Sequence, residues 1–304
     1  MKGMINMYID LHTHSNVSDG SLSPSDLVGL AVKSNLSLIA LTDHDSLDGI
    51  EEAKEAAKKA TNNNKPIELV AGVEISAYYM NRDIHILGLL VDETDRILNG
   101  DLARANQKRN ARNEKMAENF RAAGIPITIE ELRDRARMNN TNENNKDTVI
   151  TRAHFATYLV EHGYAKNTQD AFDKYLGEDS PFYVNREYLE PRKAFDLIHQ
   201  AKGLAFIAHP FLYDFTVAHI EQMLKDFKAL GLDGIEVFHS THNKEQEDIL
   251  LKLAKQYDLL ITGGSDFHGD VKPKVKLGIS RDNLRIPYSI YEEIKKKKEE
   301  KYTC

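Results

Sequence analysis

Short apolar runs recur along the chain, and a histidine or a carboxylate follows each of them within a few residues. The runs lie at 8–11, 38–41, 67–73, 204–208, 234–235 and 259–262. Their length and nearly continuous hydrophobicity are typical of strands in a parallel sheet that is buried on both faces. The polar residues after them are therefore candidates for functional side chains at strand ends.

Helical patterns separate these runs at 24–34, 46–60, 192–202, 217–230 and 243–257, with Ser23 and Ser46 placed as N-caps. Alternating strands and helices predict an α/β fold. In a closed barrel the carboxyl ends of the strands converge on one mouth, whereas an open sheet offers only a crevice where the strand order reverses. Strand ends that repeatedly carry His, Asp or Glu favour the barrel.

The interval 95–190 breaks this alternation. It begins with one long polar helix at 95–123, and shorter helical patterns follow at 130–137, 152–163 and 168–176. The Asn-rich stretch 138–145 has little to bury and is predicted to be a mobile loop. We interpret 95–190 as a helical insertion over the barrel mouth, between barrel segments 1–94 and 191–304. The charge run 292–301 predicts a solvated helix end.

The composition is that of a globular protein, with 304 residues, 41% hydrophobic and 29% charged. A net charge of -7 argues against binding to duplex DNA but leaves a short single-stranded nucleic acid possible. No run approaches the roughly 20 apolar residues of a membrane span, and the first eight residues lack the apolar core of a signal peptide. Cys304 is the lone cysteine, so a cytoplasmic protein with no membrane partner is expected. The oligomeric state is not indicated.

Two pairs of side chains with the same spacing predict a metal site. His12 and His14 are two residues apart at the end of the first strand, so both point to one face, and Asp266 and His268 repeat this arrangement after the last strand. The first and last strands are neighbours when a barrel closes, so the two pairs would face each other. The full candidate ligand set is His12, His14, Asp19, His44, Glu74, His85, His209, Asp266 and His268.

His85 begins an apolar run instead of ending one. A hairpin turning near Met80 and Asn81 would nevertheless set it roughly opposite Glu74. Nine ligands exceed what one ion uses, so two or three divalent ions are predicted, with Glu74 and Asp266 as candidate bridging carboxylates. A set of His and carboxylate ligands suits Mn, Zn or Fe and does not choose between them.

These motifs together resemble the PHP (polymerase and histidinol phosphatase) superfamily, in order and over essentially the whole chain. They are His12-x-His14, Asp19-Gly20, Thr42-Asp43-His44-Asp45, Gly72-Val73-Glu74, His85, Ala208-His209-Pro210 and Gly264-Ser265-Asp266-x-His268. The resemblance implies a distorted (β/α)7 TIM-like barrel with a trinuclear metal site, for which manganese is one candidate.

Motifs inside the interval 95–190 resemble one subgroup, the nucleoside-3′,5′-bisphosphate phosphatases, whose relatives include a 5′-to-3′ exoribonuclease acting on short RNA. The motifs are Thr151-Arg152-Ala153-His154, His162-Gly163-Tyr164, Ala171-Phe172-x-x-Tyr175-Leu176 and Tyr183-Val184. The subgroup usually has Gly-Arg-Pro-His at the first of these, so the arginine and the histidine persist here. The resemblance implies a small phosphorylated nucleotide or short RNA as the substrate.

Phosphate ester hydrolysis suits such a site. A water molecule shared by two ions becomes a hydroxide nucleophile near neutral pH, and the ions stabilise the charge that develops on the phosphoryl oxygens. The sequence contains no Gly-x-Ser-x-Gly elbow and no glycine-rich phosphate loop, so no other nucleophile is indicated. No side chain is predicted as general acid.

A second phosphate would need an anchor away from the metals. Arg152 is the first candidate, because a guanidinium can bind phosphate with two parallel hydrogen bonds, and Arg109 and Arg112 on the long helix follow. His154 and His239 would orient the substrate, donate to a leaving oxygen or support the ligands. Two alternatives stay open: a phosphatase for histidinol phosphate or another small phosphomonoester, and a metal-binding module without catalysis.

Overall fold

Eight β-strands form one sheet in the computed structural model, which describes residues 7–138 and 148–303. The strands are β1 (Tyr8–Asp10), β2 (Leu38–Leu41), β3 (Glu68–Tyr79), β4 (Arg82–Leu89), β5 (Leu204–Ile207), β6 (Gly234–His239), β7 (Leu260–Gly264) and β8 (Ile286–Pro287). Their order is β7-β6-β5-β4-β3-β2-β1-β8. β1 to β3 run parallel, as do β5 to β7, whereas β4 is antiparallel to β3 and β5, and β8 is antiparallel to β1.

Helices alternate with these strands and fill the interval between β4 and β5. They are α1 (Pro24–Lys33), α2 (Ile50–Asn62), α3 (Arg96–Ala122), α4 (Ile129–Met138), α5 (Arg152–Glu161), α6 (Thr168–Ala171) with the π-helical turn Phe172–Leu176 after it, α7 (Pro191–Gln200), α8 (Val217–Lys228), α9 (Lys244–Gln256) and α10 (Ser289–Tyr302). None of the helices in the described residues has both the length and the apolar character needed to cross a membrane. The Asn-rich stretch falls mostly on 139–147, and that segment and Cys304 lie outside the described residues.

The two predicted serine caps have different outcomes. Ser23 caps α1 as expected, because its hydroxyl accepts a hydrogen bond from the amide of Asp26 at 3.0 Å. The prediction for Ser46 is wrong: α2 begins only at Ile50, after Gly49. The Ser46 hydroxyl instead accepts from the Asp48 amide at 3.2 Å, and this local turn competes with helix initiation.

The first and last parallel strands meet, so the sheet nearly closes into a barrel. The Leu11 amide donates to the Gly263 carbonyl at 3.2 Å, and beyond the strands the Asp266 amide donates to the His12 carbonyl at 2.9 Å. Gly264 permits this approach, because a Cβ there would lie 2.3 Å from the Cβ of His12. The predicted fold class, an α/β TIM-like barrel, is confirmed.

We expect Gly264→Ala to destabilise the protein by about 1–3 kcal/mol, since the added methyl group forces β1 and β7 apart. Gly29→Ala is the matched control, because it adds the same methyl group on α1, where a Cβ would meet nothing within 4 Å. Denaturant unfolding of both variants measures the difference. A Gly264→Ala protein as stable as the Gly29→Ala protein would contradict this account of barrel closure.

The interval between β4 and β5 has a hydrophobic cluster of its own. This cluster draws all its members from 116–184, and Phe120, Phe155 and Leu159 are completely buried in it. The ring of Phe120 stacks on that of Phe182 with 4.4 Å between centroids. The helices of this interval therefore pack on one another, while the faces of α3 nearer its N-terminus are free to contact the barrel.

Candidate metal centre

The nine predicted ligands meet at one end of the barrel, where their donor atoms form groups within 4.8 Å of one another. The groups are His14 with Asp19, His44 and His268; His12 with Glu74 and His209; His44 with Glu74 and His85; and His12 with His239 and Asp266. All of these residues except His85 are buried. The groups share His12, His44 and Glu74, so they form one continuous cluster.

Two buried carboxylates that are not in the groups hold the loops that carry the ligands. Asp10 accepts hydrogen bonds from the amides of Ser265 at 2.9 Å and His12 at 3.2 Å. Asp43 accepts from the Ser15 amide at 2.8 Å and the Ser18 hydroxyl at 2.6 Å. These bonds connect the loops after β1, β2 and β7. The two carboxylates therefore hold the loops that carry the candidate ligands in place.

The hairpin of β3 and β4 brings His85 to the cluster. Met80 and Asn81 form its tight turn with φ of 47° and 58°, the left-handed values of a two-residue hairpin turn. His85 pairs with Ser76, and Glu74 pairs with Leu87, so His85 lies two positions from the expected partner. Ser76 and Glu74 share a face of β3, and His85 Nδ1 still lies 3.0 Å from Glu74 Oε1.

Glu74 occupies the middle of the cluster. Its two oxygens lie between 2.9 and 3.3 Å from imidazole nitrogens of His12, His14, His44, His85 and His209. Burial would raise the pKa of Glu74, but the charges of His85, His44 and His12 outweigh it and hold the pKa well below its usual range. An ionised carboxylate with a histidine group on each side has the chemistry to bridge two cations.

Glu236 and a backbone carbonyl orient two of the imidazoles. Glu236 Oε1 lies 3.0 Å from His12 Nδ1, and Oε2 accepts from the His209 amide at 2.8 Å. His268 Nδ1 lies 2.9 Å from the Asp266 carbonyl. With Nδ1 donating in both cases, the Nε2 lone pairs of His12 and His268 point into the cluster, as is usual for imidazoles that bind metals.

Several buried nitrogen and oxygen atoms of the cluster, each able to bind a metal ion, make no hydrogen bond of acceptable geometry with any described residue. They are Asp19 Oδ1, His44 Nδ1, His209 Nδ1 and His239 Nε2. Buried polar atoms are normally paired, so these atoms call for a partner. Divalent cations such as Mn, Zn or Fe take mixed imidazole and carboxylate ligands, and the donor set therefore fits such ions.

His239 belongs to this cluster rather than to its surroundings. It ends β6 and is completely buried, its Nε2 lies 3.4 Å from Asp266 Oδ2, and its Nδ1 lies 2.8 Å from the Thr241 hydroxyl. The sequence analysis placed it among the substrate contacts. The pattern that predicts most of the other candidate ligands, a histidine or a carboxylate at or just after the end of a strand, also applies to His239.

Arginines from outside the barrel strands line a cavity of about 220 Å³ beside the cluster, together with His44, His85 and His268. Arg109 and Arg112 of α3 are 5% and 4% exposed. Arg109 donates to Asp45 and, at 2.9 Å, to the Ser76 hydroxyl. Arg112 Nε and Nη1 have no hydrogen-bond partner in the described part of the chain. The cavity thus contains a buried guanidinium with free donors.

Arg186 completes this arginine cluster (Arg109, Arg112 and Arg186), and the sequence analysis missed it. Its side chain is 5% exposed, with Nη1 3.7 Å from Asp45 Oδ2, and it lies over the ring of Tyr188 at 4.3 Å. Burial and the neighbouring arginines lower the pKa of Arg112 to about 9. Since Asp45 is the carboxylate that pairs with Arg109 and Arg186, the cluster has an excess of positive charge.

The motif at 151–154 lies between the histidine and carboxylate cluster and the arginine cluster. The Thr151 hydroxyl donates to Asp19 Oδ2 at 2.8 Å, and the Thr151 amide donates to His154 Nδ1 at 3.1 Å in a capping box that begins α5. Arg152 pairs with Asp83 at 2.7 Å, and its guanidinium lies 5.9 Å from the centre of the Phe172 ring. Arg152 and His154 therefore already have partners in the protein.

Lys272 is a second residue that the sequence analysis missed. Its Nζ lies 2.6 Å from Asp266 Oδ2, and its side chain lines the arginine-rich cavity. It belongs to the loop that leaves β7, four residues after His268. The lysine places a positive charge at the edge of the histidine and carboxylate cluster.

A nearly closed α/β barrel with buried imidazoles and carboxylates at its mouth, and guanidinium groups beside them, has the arrangement expected of a metal-dependent hydrolase of phosphate esters. Comparison with known families gives the same class. Residues 10–205 match the model of the PHP domain. The chain belongs to the PHP domain family, and the resemblance found in the sequence is confirmed.

Similar proteins extend over nearly the whole chain. The chain is 39% identical over 259 residues to the 5′-3′ exoribonuclease of Haemophilus influenzae, which covers 85% of this chain and 89% of that protein. It is 33% identical over 286 residues to the 3′,5′-nucleoside bisphosphate phosphatase of Chromobacterium violaceum, with 94% and 96% covered. A proposed metal-dependent phosphoesterase from Bifidobacterium adolescentis superposes with a TM-score of 0.81 at 30% identity over 95% of both chains. The chain is a phosphoester hydrolase, and a module without catalysis is not supported.

Proposed function

We propose that this enzyme removes the 3′-phosphate of nucleoside 3′,5′-bisphosphates and also degrades short RNA from its 5′ end. The observation that carries the proposal is the arginine cluster, which shares one cavity with the histidine and carboxylate cluster. A bisphosphate presents one phosphate for hydrolysis and a second for binding, and the cavity offers a separate site for each. The names of the relatives from Haemophilus influenzae and Chromobacterium violaceum support the same two activities.

Two or three divalent cations would be held by the nine predicted ligands, and His239 joins them as a tenth candidate. When bound, such ions acidify a water molecule and offset the negative charge that develops on the phosphoryl oxygens. We keep manganese, zinc and iron as candidates, because all three accept imidazole with carboxylate. Glu236 holds the His12 ring in place, and Thr151 does the same for the Asp19 carboxylate.

Arg112 and Arg186 bind the second phosphate in this proposal. Arg112 has free donors on a buried guanidinium, whereas Arg109 is paired with Asp45 and Arg152 with Asp83. Arg109 and Arg152 then fix the walls of the cavity and contribute charge. We assign no general acid.

The interval 95–190 is, in our proposal, an insertion that closes the barrel mouth between the segments 1–94 and 191–304. It is supported by the contributions that the interval makes to the site: α3 carries Arg112, and the segment before α5 carries Thr151, which contacts Asp19. We further propose that the enzyme acts in the cytoplasm, a compartment that suits a chain with a lone cysteine.

The test compares phosphate release from two substrates by the manganese-loaded enzyme. Adenosine 3′,5′-bisphosphate is expected to be hydrolysed much faster than histidinol phosphate, because only the former has a second phosphate for the arginine cluster. Chelation with EDTA should abolish the release, and added Mn²⁺ should restore it. Release from histidinol phosphate alone would replace this proposal by the phosphomonoester alternative.

Glu236→Gln is expected to weaken metal binding by about 10- to 100-fold, the usual effect of removing a carboxylate that orients a metal-binding imidazole. The fold should persist, because the glutamine keeps the size of the side chain. The measurement is the Mn²⁺ concentration that gives half-maximal phosphate release. Glu293→Gln on α10, an exposed position, is the matched control. Equal Mn²⁺ requirements for both variants would refute the orienting role.

A further inference from the structure

Basic side chains extend from the edge of the histidine and carboxylate cluster along the loop after β7. The first of them is Lys272, whose Nζ lies 2.6 Å from Asp266 Oδ2. Lys274 and Lys276 follow at alternate positions, and both are exposed. With Arg281 they line a cavity of about 400 Å³. We define the lysine groove by Lys272, Lys274, Lys276 and Arg281.

The far part of this groove is connected to the metal centre through His239. Thr241 and Ser280, which line the 400 Å³ cavity, both hydrogen bond to His239: the Thr241 hydroxyl lies 2.8 Å from Nδ1, and the Ser280 hydroxyl donates to the carbonyl at 3.1 Å. His239 in turn contacts Asp266. The lining of the 400 Å³ cavity is therefore one hydrogen-bonded residue away from the histidine and carboxylate cluster.

The charges of the groove are available to a ligand. Lys274 and Lys276 form no ion pair within the residues that the structure describes. Arg281 is paired with Glu247 and Asp282, and Asp282 is the carboxylate among the residues lining the cavity. Lys272 is paired with Asp266, so the positive charge that the groove keeps after its pairs are counted is that of Lys274 and Lys276.

A second cleft beside the metal centre has the reverse charge. This cleft of about 700 Å³ starts at Asp19 and runs between the mouth, α4 and α5. Its wall carries the carboxylates of Glu130, Glu131 and Glu161, and Arg135 on the same wall is paired with Glu131 and Glu161. A polyanion would be repelled from this cleft.

We propose that the lysine groove binds the backbone of an RNA substrate on the 3′ side of the phosphate that is cleaved. The inference rests on the proposed function, in which the 5′-phosphate lies in the arginine cluster and the scissile phosphate at the metal centre. The rest of the RNA must then leave the centre. Of the acidic cleft and the lysine groove, the groove has the charge that phosphates require. Lysines on flexible stems bind phosphates without reading sequence, so cleavage would not depend on the bases there.

The experiment measures kcat/KM of Lys274→Glu/Lys276→Glu on adenosine 3′,5′-bisphosphate and on a 5′-phosphorylated RNA of five nucleotides. The double variant is expected to lose at least ~10-fold on the RNA at low salt and to hydrolyse the bisphosphate like the wild type. The slope of log kcat/KM for RNA against log salt should become shallower by about 1 to 2. Unchanged bisphosphate hydrolysis also shows that the variant is folded.

The matched control is Lys295→Glu/Lys296→Glu, which makes the same charge change on α10. This helix lies at the other end of the barrel, because Lys301 contacts Asp233 just before β6, and Tyr302 contacts Gly203 just before β5. Equal losses in the two double variants would overturn the groove, and so would an unaffected RNA activity or an equal loss on both substrates. A wild type that hydrolyses the bisphosphate but not the RNA would overturn the groove and the exoribonuclease part of the proposed function, and would leave the bisphosphate phosphatase activity standing. A wild type that hydrolyses neither the bisphosphate nor the RNA would overturn the proposed function together with the groove.

Discussion

Asp266→Asn is expected to lower kcat for adenosine 3′,5′-bisphosphate by about 10²- to 10³-fold while the protein stays folded. Asp266 lies at the junction of the cluster, with Oδ1 3.4 Å from His14 Nε2 and Oδ2 3.4 Å from His239 Nε2. The substitution removes one negative charge from the donor set that, in the proposed function, neutralises two or three cations. Bound metal should therefore fall together with turnover.

The choice of asparagine follows from the backbone. Asp266 has φ of 56°, a left-handed conformation that asparagine adopts more easily than alanine. The bond that helps to close the barrel uses the Asp266 amide, which donates to the His12 carbonyl, and the variant retains that amide. A loss of turnover is then attributable to the carboxylate.

Asp196→Asn is the control for this variant, since it makes the same chemical change at an exposed position of α7. The measurements are kcat at saturating Mn²⁺, the metal content of the purified protein by elemental analysis, and the thermal unfolding midpoint. An Asp266→Asn enzyme with the metal content and kcat of the control would disprove the role of Asp266 as a ligand.

The positions of the clustered histidines and carboxylates could be predicted because the barrel topology determines them. Any polar side chain at the carboxyl end of a parallel strand points toward the same mouth, so His12, His209 and Asp266 had to meet once the strands were recognised. His85 followed from the turn at Met80 and Asn81. The expected partner was two positions off, although the same turn sets the register: with Tyr79 opposite Arg82, His85 pairs with Ser76 and not with Glu74.

The arginine cluster could not be predicted to the same degree. Arg109 and Arg112 lie on a helix that is polar along most of its length, and such arginines are usually solvated. Their burial depends on how α3 crosses the mouth, which is a property of tertiary packing. Arg186 follows the motif Tyr183-Val184 in a segment without regular structure, so no periodicity pointed to it. The error at Ser46 is of the opposite kind. Serine is a favourable N-cap residue, but the Ser46 hydroxyl stabilises a local turn instead of the start of α2.

Arg112→Met is expected to reduce kcat/KM for adenosine 3′,5′-bisphosphate by roughly 100-fold, or about 3 kcal/mol. The reduction for adenosine 3′-monophosphate should stay below about 3-fold, because that substrate has no 5′-phosphate. A buried guanidinium with free Nε and Nη1 is a strong phosphate ligand, since the site is already desolvated and the hydrogen bonds are made with charged oxygens.

The stability of the same variant separates a binding role from a structural one. Arg112 is buried beside like charges, and burial followed by the charges of Arg109, Arg152 and Arg186 lowers its pKa to about 9. A buried cation without its own carboxylate destabilises the folded state, so methionine at this position should leave the unfolding midpoint unchanged or raise it. An unpaired buried arginine that destabilises the free enzyme is expected to have a binding role, here toward the second phosphate.

Arg96→Met on the same helix provides the comparison, because Arg96 is exposed and lies away from the cavity. Its kcat/KM for both substrates should match that of the wild type. If Arg112→Met lowered kcat/KM for the monophosphate as much as for the bisphosphate, or lowered the unfolding midpoint, Arg112 would be a structural residue of the insertion. The second phosphate would then have to be bound elsewhere, and the arginine cluster would no longer explain the preference for a doubly phosphorylated substrate.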